Sequence, residues 1–236
     1  MRRLIDFAWR RAAQLAARCP GLRNLIRGGA PPWLSLEGDR AIEWSWVVAN
    51  LPRQPCPALD VGCVHSALSA IAARLGHQVT AVDLLDIEYD MQGVTFLRGD
   101  INELDFGGQS FSVIINSSTI EHVGLAGRYG AGPREDGDIL AMRRLRQLLT
   151  PTGIMILTVP LGIDAVFAPF HRVYGAKRLP LLLEGLKIRR QEYWTRDEGS
   201  RWRPCDRDTA LRVAGSASFY ALGLFVLERS EGEAHR

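Results

Sequence analysis

The chain has 236 residues, a length for one domain or a domain with a short appendage, with 47% hydrophobic and 23% charged residues. That balance excludes disordered, collagen-like and repeat-polymer chains, and no run approaches the roughly 18 apolar residues of a membrane span. The net charge of +3 is too small for a general nucleic-acid binder, so no nucleic-acid partner is expected.

Charge is uneven along the chain. Residues 1–27 carry seven Arg against one Asp, a local +6 that leaves the remainder at −3. Cys19, Cys56, Cys63 and Cys205 form neither a CxxC pair nor a dense disulfide set, so a reduced, cytoplasmic setting is expected. The N-terminus lacks the continuous apolar core of a signal peptide.

Residues 2–18 read as an amphipathic helix. Leu4, Ile5, Ala8, Trp9, Ala12 and Ala16 share one side, Arg3, Arg10, Arg11 and Arg18 the other, and Cys19-Pro20-Gly21 stops it. It is read as a cap on the main domain, a peripheral membrane contact or a homodimer element. Gly28-Gly29-Ala30-Pro31-Pro32 is a linker. This divides the chain into a basic helix and linker at 1–30 and a main domain at 31–236. Trp33, Trp44 and Trp46 follow, as a packed edge or as a lid over a ligand.

From residue 58 strands and helices alternate. Strands are predicted at 58–61, 78–82, 94–97, 111–115, 154–159, 187–193 and 222–227, with helices at 66–75 and 138–149. The fold class is therefore α/β: a Rossmann-like, seven-stranded, mostly parallel sheet with helices on both faces. Ligands bind such sheets at the carboxyl ends of the strands.

The chemistry-bearing residues fall at those ends. Asp60-Val61-Gly62-Cys63-Val64-His65-Ser66 follows the first strand. A pyrophosphate there would meet the Val64 side chain, which disfavours a dinucleotide. Asp83, at the tip of the second strand, suits a pair of ribose hydroxyls. Asp100, followed by the backbone N–H of Ile101, suits adenine. In this order the set describes a nucleoside without a pyrophosphate.

Leu59-Asp60-Val61-Gly62-Cys63, Val79-Thr80-Ala81-Val82-Asp83, Arg98-Gly99-Asp100-Ile101 and Leu149-Thr150-Pro151-Thr152-Gly153 resemble the motif series of class I S-adenosylmethionine-dependent methyltransferases. The family's turn reads GCGxG, whereas this one reads Gly62-Cys63-Val64-His65-Ser66. The resemblance implies S-adenosylmethionine as cofactor, held by Asp60, Gly62, His65, Ser66, Asp83, Leu84, Asp100, Ile101, Asn116 and Ser117. Residues 118–130, Asp136-Gly137-Asp138, His171-Arg172-Val173-Tyr174-Gly175 and Glu43-Trp44-Ser45-Trp46 resemble a bacterial DUF268-like subgroup found with sugar- and polysaccharide-biosynthesis genes. That resemblance implies O-methylation of a sugar or glycan hydroxyl.

A sugar hydroxyl is a weak acid and requires a general base. His122, beside Glu121 after the fourth strand, is the first candidate and His171 the second; Glu121-His122 also reads as a structural or cofactor-side pair. Arg128, Tyr129, Asp138 and Tyr174 are candidate acceptor-binding residues. Asp136 and Asp138 read either as Mg²⁺ ligands or as a solvated loop with a helix cap. Residues 161–208, rich in aromatics and Arg, are read as ordinary packing or as an acceptor lid. Other readings are methylation of another small molecule or a lipid-linked acceptor, a non-catalytic cofactor-binding or interaction module, and, more distantly, an NAD-type reductase.

Overall fold

The computed structural model describes residues 38–87, 91–127, 129 and 132–230. The expectations for residues 2–18, the linker, Trp33 and Arg128 lie outside these residues. The first described helix, α1 (Arg40–Asn50), precedes β1 (Pro57–Val61), α2 (Leu68–Arg74), β2 (Gln78–Asp83), β3 (Val94–Arg98) and β4 (Phe111–Ser117). A 3₁₀ turn (Ile120–His122) leads to α3 (Gly137–Leu148) and the long β5 (Leu149–Leu161). Then come β6 (Ala165–Phe167), β7 (His171–Val173), α4 (Arg178–Leu182), β8 (Leu186–Arg196), β9 (Trp202–Cys205), α5 (Arg207–Leu211) and β10 (Ala221–Arg229).

The main sheet has the order β3-β2-β1-β4-β5-β10-β8-β9, and β6 and β7 form a separate hairpin. β1 to β5 are mutually parallel, whereas β10 runs antiparallel to both β5 and β8. The sheet therefore has eight strands where seven were expected. The additional one is β9, antiparallel to the end of β8. Its segment, Trp202-Arg203-Pro204-Cys205, lacks apolar alternation, and its proline is tolerated because the strand lies at the sheet edge.

Each strand serves both faces of the sheet. In β10, Ala221, Phe225 and Leu227 pack with Ile139, Met142 and Leu145 of α3. The alternate residues Leu222, Leu224 and Val226 pack with α1 and α2. This period-2 division is what a doubly covered sheet requires. Trp44, Trp46 and Val47 of α1 are buried in the second layer, each such side chain contributing about 1.5–3 kcal/mol. Trp44 and Trp46 are thus core residues. The Thr150–Gly153 segment is the irregular start of β5, where pairing steps from Phe111↔Leu149 to Val113↔Ile154.

A buried ion network joins α3 to the β7 strand and α4. Arg178 donates to both Asp138 oxygens, at 2.9 and 2.6 Å, and the Tyr174 hydroxyl donates to Oδ2 at 3.0 Å. The Arg172 guanidinium lies 3.8 Å from the same carboxylate. Two expectations are corrected here. Asp138 and Tyr174 are fully buried packing residues and do not line the cavity described below. The Mg²⁺ reading also fails: Arg178 supplies the positive charge for both Asp136 and Asp138. Among the described residues no group of three or more His, Cys, Asp or Glu could hold a metal ion. Nor is any described helix long and apolar enough to cross a membrane.

Removing the shared acid would leave the buried Arg172 guanidinium without its carboxylate and the partly buried Arg178 with only Asp136. Asp138→Ala is expected to cost about 3–5 kcal/mol, read as a lower urea midpoint at unchanged slope.

Candidate active site

β1 and β4 are neighbours in the sheet, but the chain proceeds from β1 towards β3 on one side and from β4 towards β5 on the other. The strand ends diverge at that switch, which opens a crevice. A cavity of about 450 Å³ lies there, a size suited to a small-molecule ligand.

Its floor is the turn after β1. Gly62 has φ +81°, the left-handed region that glycine enters without strain. A Cβ at Gly62 would lie 2.0 Å from Thr119 Oγ1, so a side chain is excluded by space as well. The Val64 N–H, which in a dinucleotide site would face a phosphate, instead donates to Asp83 Oδ2 at 2.9 Å. Leu85 N–H donates to Asp83 Oδ1 at 3.0 Å. A carboxylate has about four acceptor positions, so two remain for the paired hydroxyls of a ribose. Asp100 Oδ1 accepts from Asn102 N–H at 2.8 Å, and Asp100 and Ile101 both line the cavity. This donor set fits an adenosine moiety.

The remaining cofactor candidates divide. His65, Ser66, Leu84 and Ser117 line the cavity. Asp60 and Asn116 do not. Asp60 is buried beneath the turn, where it accepts from Ser69 Oγ at 2.5 Å, and burial raises its carboxyl to about 6 against that hydrogen bond. Asn116 Oδ1 accepts from Ile120 N–H at 3.2 Å and so fastens the 3₁₀ turn to β4. Both are strand-end residues whose side chains support the turns from below.

The opposite wall carries Glu121, His122, His171 and Tyr129. His122 Nδ1 bonds the Phe170 carbonyl, which can only accept. Nδ1 therefore carries the hydrogen, and in the neutral ring Nε2 is the basic nitrogen. Nε2 lies 3.7 Å from Glu121 Oε1, and the Tyr129 ring packs edge-on at 5.4 Å. The His171 ring packs edge-on against Tyr220 at 5.1 Å.

Helix α1 supplies what the sequence reading missed. Glu43 is 2% exposed yet lines the cavity. Its Oε1 accepts from the Ser118 hydroxyl and, at 2.6 Å, from Thr158 Oγ1. Ser118 adopts φ +47°, rare for a non-glycine residue, and its N–H is held by Thr158 Oγ1 at 3.0 Å. One helical turn earlier, Asp39 accepts from the Tyr220 hydroxyl at 2.7 Å. Burial and the neighbouring Asp39 raise the Glu43 carboxyl from 4.5 to about 7, against the hydrogen bonds of Ser118 and Thr158. The available signal was an acid at a core-facing position, four residues before Val47 and beside Trp44.

The family model described as "Caenorhabditis protein of unknown function, DUF268" matches residues 90–198. The ubiquinone biosynthesis O-methyltransferase of Cereibacter sphaeroides is 30% identical over 118 residues, 46% of this chain and 42% of that protein. Its counterpart from Azorhizobium caulinodans is 29% identical over 109 residues, 42% of this chain and 38% of that one. The chain thus spans less than half the length of the curated relatives it matches. Among solved structures, the N-methyltransferase NodS of Bradyrhizobium japonicum with S-adenosylhomocysteine superposes with a TM-score of 0.56 at 14% identity, covering 85% of this chain and 95% of that one. The CcbJ methyltransferase of Streptomyces caelestis gives 0.51 at 18% identity, over 86% and 92% of the two chains. The fold is that of the class I S-adenosylmethionine-dependent methyltransferases.

Because Glu43 binds its proton more tightly folded than unfolded, folding stability falls as pH rises from about 4.5 to 7. Glu43→Gln keeps an acceptor for both hydroxyls and removes that loss. Above pH 7 it is expected to be more stable than the wild type by on the order of 3 kcal/mol, measured by denaturation at pH 5 and pH 8.

Proposed function

We propose that the protein is an S-adenosylmethionine-dependent O-methyltransferase acting on a sugar or polysaccharide hydroxyl, with His122 as general base. One observation carries the reading. A single cavity at the β1–β4 switch brings the nucleoside-type carboxylates Asp83 and Asp100 together with the Glu121–His122 pair.

When bound, S-adenosylmethionine supplies a methyl group on a sulfonium, a leaving group that needs no metal. The chain's contributions follow from the geometry. Asp83 takes the ribose hydroxyls, and Asp100 with the Ile101 N–H takes the adenine edge. His122 Nε2 accepts the proton from the acceptor hydroxyl. The Phe170 carbonyl holds the required tautomer, and the Glu121 carboxylate stabilises the imidazolium as it forms. Phe170 and His171 flank or belong to the β6–β7 hairpin and line the cavity, which supports this hairpin, rather than the sheet strands β8 and β9 within residues 161–208, as the acceptor lid. Tyr129, Phe170 and Tyr220 offer aromatic surface to a sugar ring. A second reading, a hydroxyl on another small molecule, is favoured by the ubiquinone-biosynthesis relatives.

Calorimetric titration with S-adenosylmethionine, S-adenosylhomocysteine and NADH tests the cofactor. The first two are expected to bind, NADH is not, and Asp83→Ala is expected to abolish binding. Release of S-adenosylhomocysteine with glycan acceptors tests turnover. His122→Ala is expected to lower it by about 10²–10⁴-fold while leaving cofactor affinity intact. Near-full turnover in that variant would remove His122 from the role.

A further inference from the structure

Five acidic residues line the cavity among the described residues, namely Asp39, Glu43, Asp83, Asp100 and Glu121, against one guanidinium, Arg40. Four of the acids have evident work. Asp83 and Asp100 face the nucleoside end, Asp39 holds the Tyr220 hydroxyl, and Glu121 stands beside His122. Glu43 is different. It is almost wholly buried, and the two hydroxyls that bond it, from Ser118 and Thr158, are neutral and both meet Oε1. An acid in such surroundings is costly unless a positive charge meets it.

Its position says where that charge comes from. Glu43 is bonded to Ser118, and the next residue, Thr119, packs directly onto the α-carbon of Gly62. Glu43 therefore borders the turn after β1 on the side away from β2. Asp83 is tied to the same turn from the other side through Val64 N–H. A ribose on Asp83 leaves its 5′ substituent to run over Gly62 towards Ser118 and Glu43. In S-adenosylmethionine that substituent ends in an ammonium group.

We propose that Glu43 is the counter-charge for the amino group of the cofactor's methionine tail, supplied by a helix that precedes the whole βα framework. This rests on the reading of the cavity as an S-adenosylmethionine site. The residue's raised proton affinity agrees with it, because an arriving ammonium provides the stabilisation that the Ser118 and Thr158 hydroxyls and the charge of Arg40 do not.

The test uses the full chain and two ligands that differ by the amino-acid tail, S-adenosylhomocysteine and 5′-methylthioadenosine. Affinities are measured calorimetrically at pH 7.5 for the wild type, Glu43→Gln and Glu43→Asp. The expected result is at least a tenfold loss of S-adenosylhomocysteine affinity in Glu43→Gln, with 5′-methylthioadenosine unchanged and partial recovery in Glu43→Asp. Unchanged S-adenosylhomocysteine affinity would overturn the proposal and turn Glu43 towards the acceptor. Equal loss of both ligands would also overturn it, making Glu43 a structural support. If the wild type binds neither ligand, the cofactor reading itself falls, an outcome distinct from the other two.

Discussion

The contact between Thr119 and the α-carbon of Gly62 is the constraint on which the site depends. Two turns, one after β1 and one after β4, come from strands that are neighbours in the sheet but lead the chain in opposite directions. They can close over a common cavity only if one surrenders its side chain. Gly62 does so, and its φ of +81° turns the chain sharply enough to bring Val64 within reach of Asp83. On the other turn, the left-handed Ser118 directs its hydroxyl at Glu43 and leads the chain into the Glu121–His122 wall. The Asp83 side and the Glu121–His122 side of the cavity therefore meet at one glycine.

Much of this was legible in the sequence because parallel strands buried on both faces leave strong local signals. Apolar runs ending at Gly62, Asp83, Asp100 and Asn116 mark strand tips, and the first three residues line the cavity. The motif alone does not say whether a strand-end side chain points up into the crevice or down beneath the turn. Asp60 and Asn116 point down, and the difference depends on partners nine and four residues away. Asp138 and Tyr174 were misplaced for another reason. A carboxylate and a phenol that bond each other directly, beside buried Arg172 and partly buried Arg178, look in sequence like any polar residues near an active site, and only the tertiary fold shows that their hydrogen bonds are spent on each other.

Glu43 and β9 lay beyond local reading for opposite reasons. Glu43 sits in a segment read from the sequence only as a packed edge or a lid, and its partners Ser118 and Thr158 are 75 and 115 residues further on. No spacing rule connects them. β9 has the inverse problem, since its pairing is real but its residues carry no strand pattern. Its Arg and Pro are acceptable because, among the described residues, the strand lies outermost with one neighbour to satisfy.

That outermost strand bears on how the molecule can associate. Pro204, paired across from Trp194, has no N–H to offer an incoming chain. A hydrogen-bonded ladder added along β9 would be broken at Pro204, on the strand that is outermost among the described residues. Joining sheets edge to edge is thereby disfavoured at β9, as it is in natural sheets whose edge strands carry proline.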